Sequence, residues 1–141
     1  MQTIEKIKIL AKDHFDDAIV DEFINTFQSI LADSKVLGSI IQISTDQGEE
    51  LEIGFFTQNI IADVTLSHGK IYSCTYPLFS VSSLNISDVE NKWVLTIHGE
   101  KKFDYNIVKP GSVKPLLEYE AKLRQALEQE FVNQSIKAEI N

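Results

Sequence analysis

The candidates for nucleophilic, acid–base or metal chemistry are Cys74, His14, His68 and His98. A reactive thiolate needs a cation or an imidazole beside it, and a zinc site needs three or four converging nitrogen, sulfur or carboxylate ligands. No two of these histidines stand at a metal-ligand spacing such as i,i+4, and no cysteine or acid completes such a set. Cys74 alternates onto the inward face of its strand opposite Ala62, where a thiol behaves as a small hydrophobe. His68 stands at a turn tip, and His98 ends a strand on the face opposite Ile97. There is no glycine-rich phosphate loop and no G-x-S-x-G segment. The acidic pairs Asp16-Asp17 and Glu49-Glu50 read as a helix start and a solvated turn. These residues predict a protein that is not an enzyme, with no catalytic residue, cofactor or metal.

Charge narrows the partners. The 141 residues carry a formal net charge of −8. Residues 1–37 have four lysines against seven acids, residues 38–108 four against nine, and the remainder five basic residues against five acids. Phosphate backbones demand a basic surface, so no nucleic-acid partner is expected. A single cysteine excludes an internal disulfide framework and suits a reducing compartment. No apolar run approaches the roughly 18–20 residues of a membrane span, and Met1 to Lys6 lack the basic-then-apolar pattern of a signal peptide. The expected location is the cytoplasm.

The elements that would position these groups follow from periodicity. Ile4, Ile7 and Ala11 mark a short helix over residues 2–12. Asp16 then caps a second helix, with Phe15 and Val20 placed as a hydrophobic staple. Its stripe of Ile19, Val20, Phe23, Ile24, Phe27, Ile30 and Leu31 must be covered, either by the chain's own sheet or by another chain. Packing on the chain's own sheet is the favoured reading; in the other, Phe23 and Phe27 form a possible interface.

From Ser39 the period changes to two. Strands are predicted at about 38–45, 50–56, 60–66, 70–76, 78–84, 92–98 and 102–108. Three-residue loops at 46–48, 67–69 and 99–101 sort polar from apolar faces. They pair Ile43 with Leu51, Val64 with Tyr72, Ala62 with Cys74, and Ile97 with Phe103. In this register Ser44, Gln42, Glu50 and Glu52 face water, and Gly48 and Gly69 take positive φ. Residues 87–91 read as a turn.

Lys109-Pro110-Gly111 stops the last strand and Ser112 caps a final helix, with Pro115 in its first turn. Its apolar stripe is Leu116, Tyr119, Leu123, Ala126, Leu127 and Phe131, and residues 133–141 read as a frayed tail. The expected organisation is one domain over 1–141: N-terminal helices at 1–35, seven strands at 38–108 and a C-terminal helix at 112–132.

This order of elements resembles the pleckstrin-homology-like superfold, most closely its bacterial PH-like domains, over about residues 38–131. The resemblance rests on Val64 to Tyr72, on Trp93 to Ile97 with Phe103-Asp104-Tyr105, and on Leu116 to Phe131. It implies an α+β fold: a seven-stranded antiparallel barrel capped by the C-terminal helix, here with an added N-terminal helical segment. The eukaryotic family's tryptophan in that helix is absent, since the only tryptophan is Trp93. Phosphoinositide-binding members use basic residues in the first interstrand loop, which here reads Asp46-Gln47-Gly48-Glu49-Glu50, so no anionic-lipid partner is carried over.

The resemblance implies a non-enzymatic interaction or scaffold domain that takes a protein or peptide partner. The groove would run between the strand at 78–84 and the final helix, near Phe79, Val81, Leu116 and Leu123. Two other classes stay open. One is a small acidic dimeric chaperone resembling secretion chaperones, for which a homodimer is possible. The other is a carrier or enzyme with a pocket inside the barrel.

Overall fold

The computed structural model describes residues 2–45 and 48–140. In chain order the elements are helix α1 (Gln2–Ala11), helix α2 (Asp17–Leu31) and strands β1 (Gly38–Ser44), β2 (Glu50–Phe56), β3 (Ile60–Ser67) and β4 (Lys70–Pro77). A 3₁₀ turn (Leu78–Ser80) follows, then β5 (Ser83–Val89), β6 (Lys92–His98), β7 (Phe103–Val108) and helix α3 (Lys114–Ile140). The seven strands form two sheets, ordered β1-β2-β3-β4 and β5-β6-β7. The chain divides into two compact units: one runs to Thr57 and includes Ile61–Thr75, the other comprises Gln58–Ile60 and everything from Tyr76 onward.

In the first unit, α2 begins where the sequence places it. Asp16 has extended backbone (φ −66°, ψ 145°), and its carbonyl accepts the Val20 amide at 3.1 Å, with no bond from its side chain. Val20, Phe23, Ile24, Phe27 and Leu31 are buried. They share one core with Ile7 and Ala11 of α1, Leu51, Ile53 and Phe55 of β2, and Ala62, Val64 and Leu66 of β3. Phe27 meets Phe55 edge-on, with ring centroids 4.8 Å apart and planes at 82°. Both Phe23 and Phe27 are wholly buried, so the chain's own sheet covers the stripe and neither residue is available as an interface.

The β1–β2 register has Ile43 opposite Leu51 and Ile41 opposite Ile53, as the alternation predicts. Gly48 has φ of 96°. The other two residues of the expected 46–48 loop, Asp46 and Gln47, lie outside the described residues.

The β3–β4 connection differs from expectation. Only His68 and Gly69 separate the strands, with φ of 53° and 73°. Two positive φ values in a two-residue loop are the signature of a type I′ turn, whose twist matches that of the flanking strands. Ile71 accordingly packs on the helix-covered core, while Tyr72 is 56% exposed. Cys74, in phase with Tyr72, lies on the other face from Ile71 and is half-buried rather than opposite Ala62 in the core. Face sorting fails here because the second face of β3 is shielded too: Asp63 and Ser67 are buried.

In the second unit, β6 and β7 pair as predicted, with Trp93 opposite Ile107, Leu95 opposite Tyr105 and Ile97 opposite Phe103. The strand before them is displaced. Residues 78–80 form a 3₁₀ turn closed by Val81 N–H to the Leu78 carbonyl (3.1 Å) and by the Ser80 hydroxyl to the Pro77 carbonyl (2.7 Å). Residues 83–89 are the strand, placing Leu84 opposite Ile97 and Ile86 opposite Leu95. The turn chemistry expected at 87–91 shrinks to Glu90-Asn91, with Glu90 at φ 50°. Cross-strand pairing of Leu84 and Ile86 with the apolar run of β6 outweighs the local turn preference of Ser87 and Asp88.

An aromatic series runs through this unit, with Tyr76 stacked on Phe103 (5.2 Å), Phe103 near Tyr105 (6.4 Å) and Tyr105 near Tyr119 of α3 (6.0 Å). The Ser112 hydroxyl accepts the Lys114 amide at 3.1 Å at the start of α3. The helix packs on the 3₁₀ turn, β5 and β6 through buried Leu116, Tyr119 and Leu123. It continues to Ile140 instead of fraying after residue 132. No glycine or proline interrupts it after Pro115, and side-chain bonds join Gln129 to Asn133 and Gln134 to Glu130 at 3.1 Å. Phe131, expected on the buried stripe, is 72% exposed.

Candidate functional site

Three places hold the residues that could act. The first is the segment expected to form a partner groove. Leu116 and Leu123 are fully buried, so they line no accessible groove, whereas Phe79 is 65% exposed and Val81 half-buried. Beside this segment the open backbone is that of β5, one of the two end strands of its sheet. An edge strand carries a row of N–H and C=O groups that no neighbouring strand takes up. The single arginine reaches this edge from α3: Arg124 Nη2 donates to the Leu84 carbonyl at 3.1 Å while Glu120 holds the same nitrogen at 3.5 Å. The sequence marked Arg124 only as half of an i,i+4 pair. Its tertiary role follows from where β5 lies, which the local pattern misplaced.

The second place is the β2–β3 ladder on the face opposite the one that α1 and α2 cover. Glu52 stands opposite Thr65, and Gly54 stands opposite Asp63, so the carboxyls of Glu52 and Asp63 are diagonal neighbours. Thr65 Oγ1 donates to Asp63 Oδ1 at 2.8 Å and lies 3.5 Å from Glu52 Oε2. Burial pushes the Glu52 carboxyl up to about 9; its hydrogen bond to Asp63 and the charges of Asp63 and Glu50 add to the shift, against the Thr65 bond. Glu52 is therefore a neutral, proton-holding acid at pH 7 rather than the solvated carboxylate that alternation predicts. Farther along, Ser67 Oγ donates to Glu50 Oε2 at 2.6 Å and lies 2.9 Å from His68 Nδ1. Serine, histidine and glutamate adjoin here, but the carboxylate accepts from the serine instead of orienting the imidazole. That is the reverse of the order nucleophilic activation requires.

The third place is the start of α2. His14 Nδ1 lies 3.0 Å from Glu49 Oε1, tying the α1–α2 connection to the β1–β2 loop. His68 and His98 are exposed and stand apart from it in sequence and element. Among the described residues no three histidine, cysteine or acidic side chains are grouped to hold a metal ion. No described helix is long and apolar enough to cross a membrane. No protein-family model matches the chain, and no curated protein matches it.

Proposed function

We propose that this protein is a non-enzymatic, PH-like interaction domain of the cytoplasm that binds an extended segment of a partner protein along β5, beside α3. The observation that carries the reading is the edge position of β5 with Arg124 poised over its Leu84 carbonyl. An incoming strand would take the outward backbone groups of β5, the Arg124 guanidinium turning from the Leu84 carbonyl to a carbonyl or carboxylate on that strand. Phe79, exposed one turn ahead of β5, supplies an apolar contact for alternate side chains of the segment. The acidic balance of the chain argues against lipid headgroups and nucleic acid as the partner.

Panning a random extended-peptide library against the folded protein tests the reading. Enriched peptides should share a short apolar pattern and lose most of their affinity for Phe79→Asp and Arg124→Ala variants. Absence of enrichment, or binding indifferent to both substitutions, would sink it.

A further inference from the structure

A groove of about 410 Å³ separates α1 from α2, lined by Lys8, Ile9, Lys12, Asp17, Val20 and Asp21. Its two walls carry opposite charge. Lys8, in the last turn of α1, and Lys12, just beyond its end, are four residues apart; Asp17 and Asp21, also four apart, come from the first turns of α2. The ion pairs among the described residues involve none of these four. Between the walls lie buried Val20 and Ile9, and Ile9, at 73% exposed, is the most exposed large hydrophobic residue described.

A surface with cations on one side of an apolar line and carboxylates on the other is complementary to itself after a two-fold rotation. The cationic wall of each copy then meets the acidic wall of the other, as an isologous interface requires. We propose that this face binds a second copy of the chain, making a weak homodimer in which Lys8 and Lys12 pair with Asp17 and Asp21 of the partner copy across a contact between the two exposed Ile9 side chains. The inference is independent of the β5 edge. It also moves any dimer contact away from Phe23 and Phe27, which the sheet already covers.

Net charge opposes the association, because the first unit carries five lysines against twelve acids. Range decides between the two effects. At about 0.1 M salt the Debye length is roughly 10 Å, so repulsion between distant acids is largely screened while pairs in contact keep most of their attraction. Exposed pairs are individually weak, so the dimer is expected to be concentration-dependent rather than obligate.

Sedimentation equilibrium at about 0.1 M salt tests the proposal on four samples: wild type, Lys8→Glu/Lys12→Glu, Asp17→Lys/Asp21→Lys, and an equimolar mixture of the two variants. Wild type should dimerise with rising concentration. Each variant alone should associate at least about tenfold more weakly, a difference easily resolved in Kd, and the mixture should recover dimer because its walls are again complementary. Circular dichroism melts confirm that the variants fold, and Ile9→Ser, a change at an exposed site, should also weaken association. A wild type that stays monomeric, a dimer unaffected by either charge reversal, or a mixture that fails to recover would each overturn it.

Discussion

The ring of Tyr76 occupies the space that a side chain on residue 99 would need: a Cβ built on Gly99 would lie 2.5 Å from Tyr76 Cε1 and 2.7 Å from its Oη. Tyr76, the penultimate residue of β4, stacks on Phe103 and donates its hydroxyl proton to the Lys101 carbonyl at 3.1 Å. The tyrosine thereby clamps the β6–β7 loop, and glycine is required at 99 for close approach. Gly99→Ala should destabilise by about 1–3 kcal/mol through overpacking. Tyr76→Phe, which keeps the stack and loses one hydrogen bond, should cost about 1 kcal/mol. Urea denaturation distinguishes them, and a neutral Gly99→Ala would contradict the clamp.

Phe23 is wholly buried against the first unit's own sheet. Phe23→Asp places an unpaired carboxylate in that core and should cost several kcal/mol. The variant should melt cooperatively at a markedly lower temperature. A folded variant with an unchanged melting point would show that the stripe is not part of the core.

Stability should fall as pH rises through the window set by Glu52. Its native carboxyl titrates near 9, against 4.5 for the ordinary value, so between these limits the folded chain holds a proton that the unfolded chain has released. Fewer protons bound in the unfolded state means that unfolding free energy declines with pH, by at most about 1.4 kcal/mol per unit. The stabilising contribution is complete below the unfolded pKa and lost on passing the folded one. Glu52→Gln keeps the neutral shape, so it should be more stable than wild type at pH 8 and have a flatter profile between pH 5 and 9. Parallel profiles for the two proteins would show that Glu52 is ionised in the fold.

Gly69 has φ of 73° next to His68 at 53°, the pair that makes the β3–β4 turn. A β-branched residue cannot adopt that angle without strain, so Gly69→Val should cost on the order of 1 kcal/mol or more. Gly69→Asn, a residue that tolerates the left-handed region, should cost less. Equal effects for valine and asparagine would argue against the turn type.

Where apolar residues alternate on one face of both partner strands, the register is legible in the sequence. Ile41 and Ile43 against Leu51 and Ile53, and Trp93, Leu95 and Ile97 against Ile107, Tyr105 and Phe103, pair as the alternation says. The β3–β4 register was not legible, because burial of Asp63 and Ser67 removes the wet face on which the sorting depends. The position of β5 was hidden by composition: Phe79 and Val81 look like strand, Ser87 and Asp88 like turn, and only pairing with β6 decides. The candidate sites suffered most. Glu52 and Asp63 become neighbours through the β2–β3 pairing, and Arg124 meets Leu84 across forty residues of chain. Leu116 and Leu123 were correctly placed on the apolar face of α3, but that face is filled by the protein itself.

Amide hydrogen exchange along β5 tests the central claim most directly. In the free protein, about every second amide between Ser83 and Val89 should exchange quickly, since one side of an edge strand has no neighbour. The amides of β6, flanked by strands on both sides, should be protected. Addition of a peptide selected against the wild type should slow the fast set of β5 and leave β6 unchanged. Uniform protection of β5 in the free protein, or peptide-induced protection confined to other strands, would contradict the account.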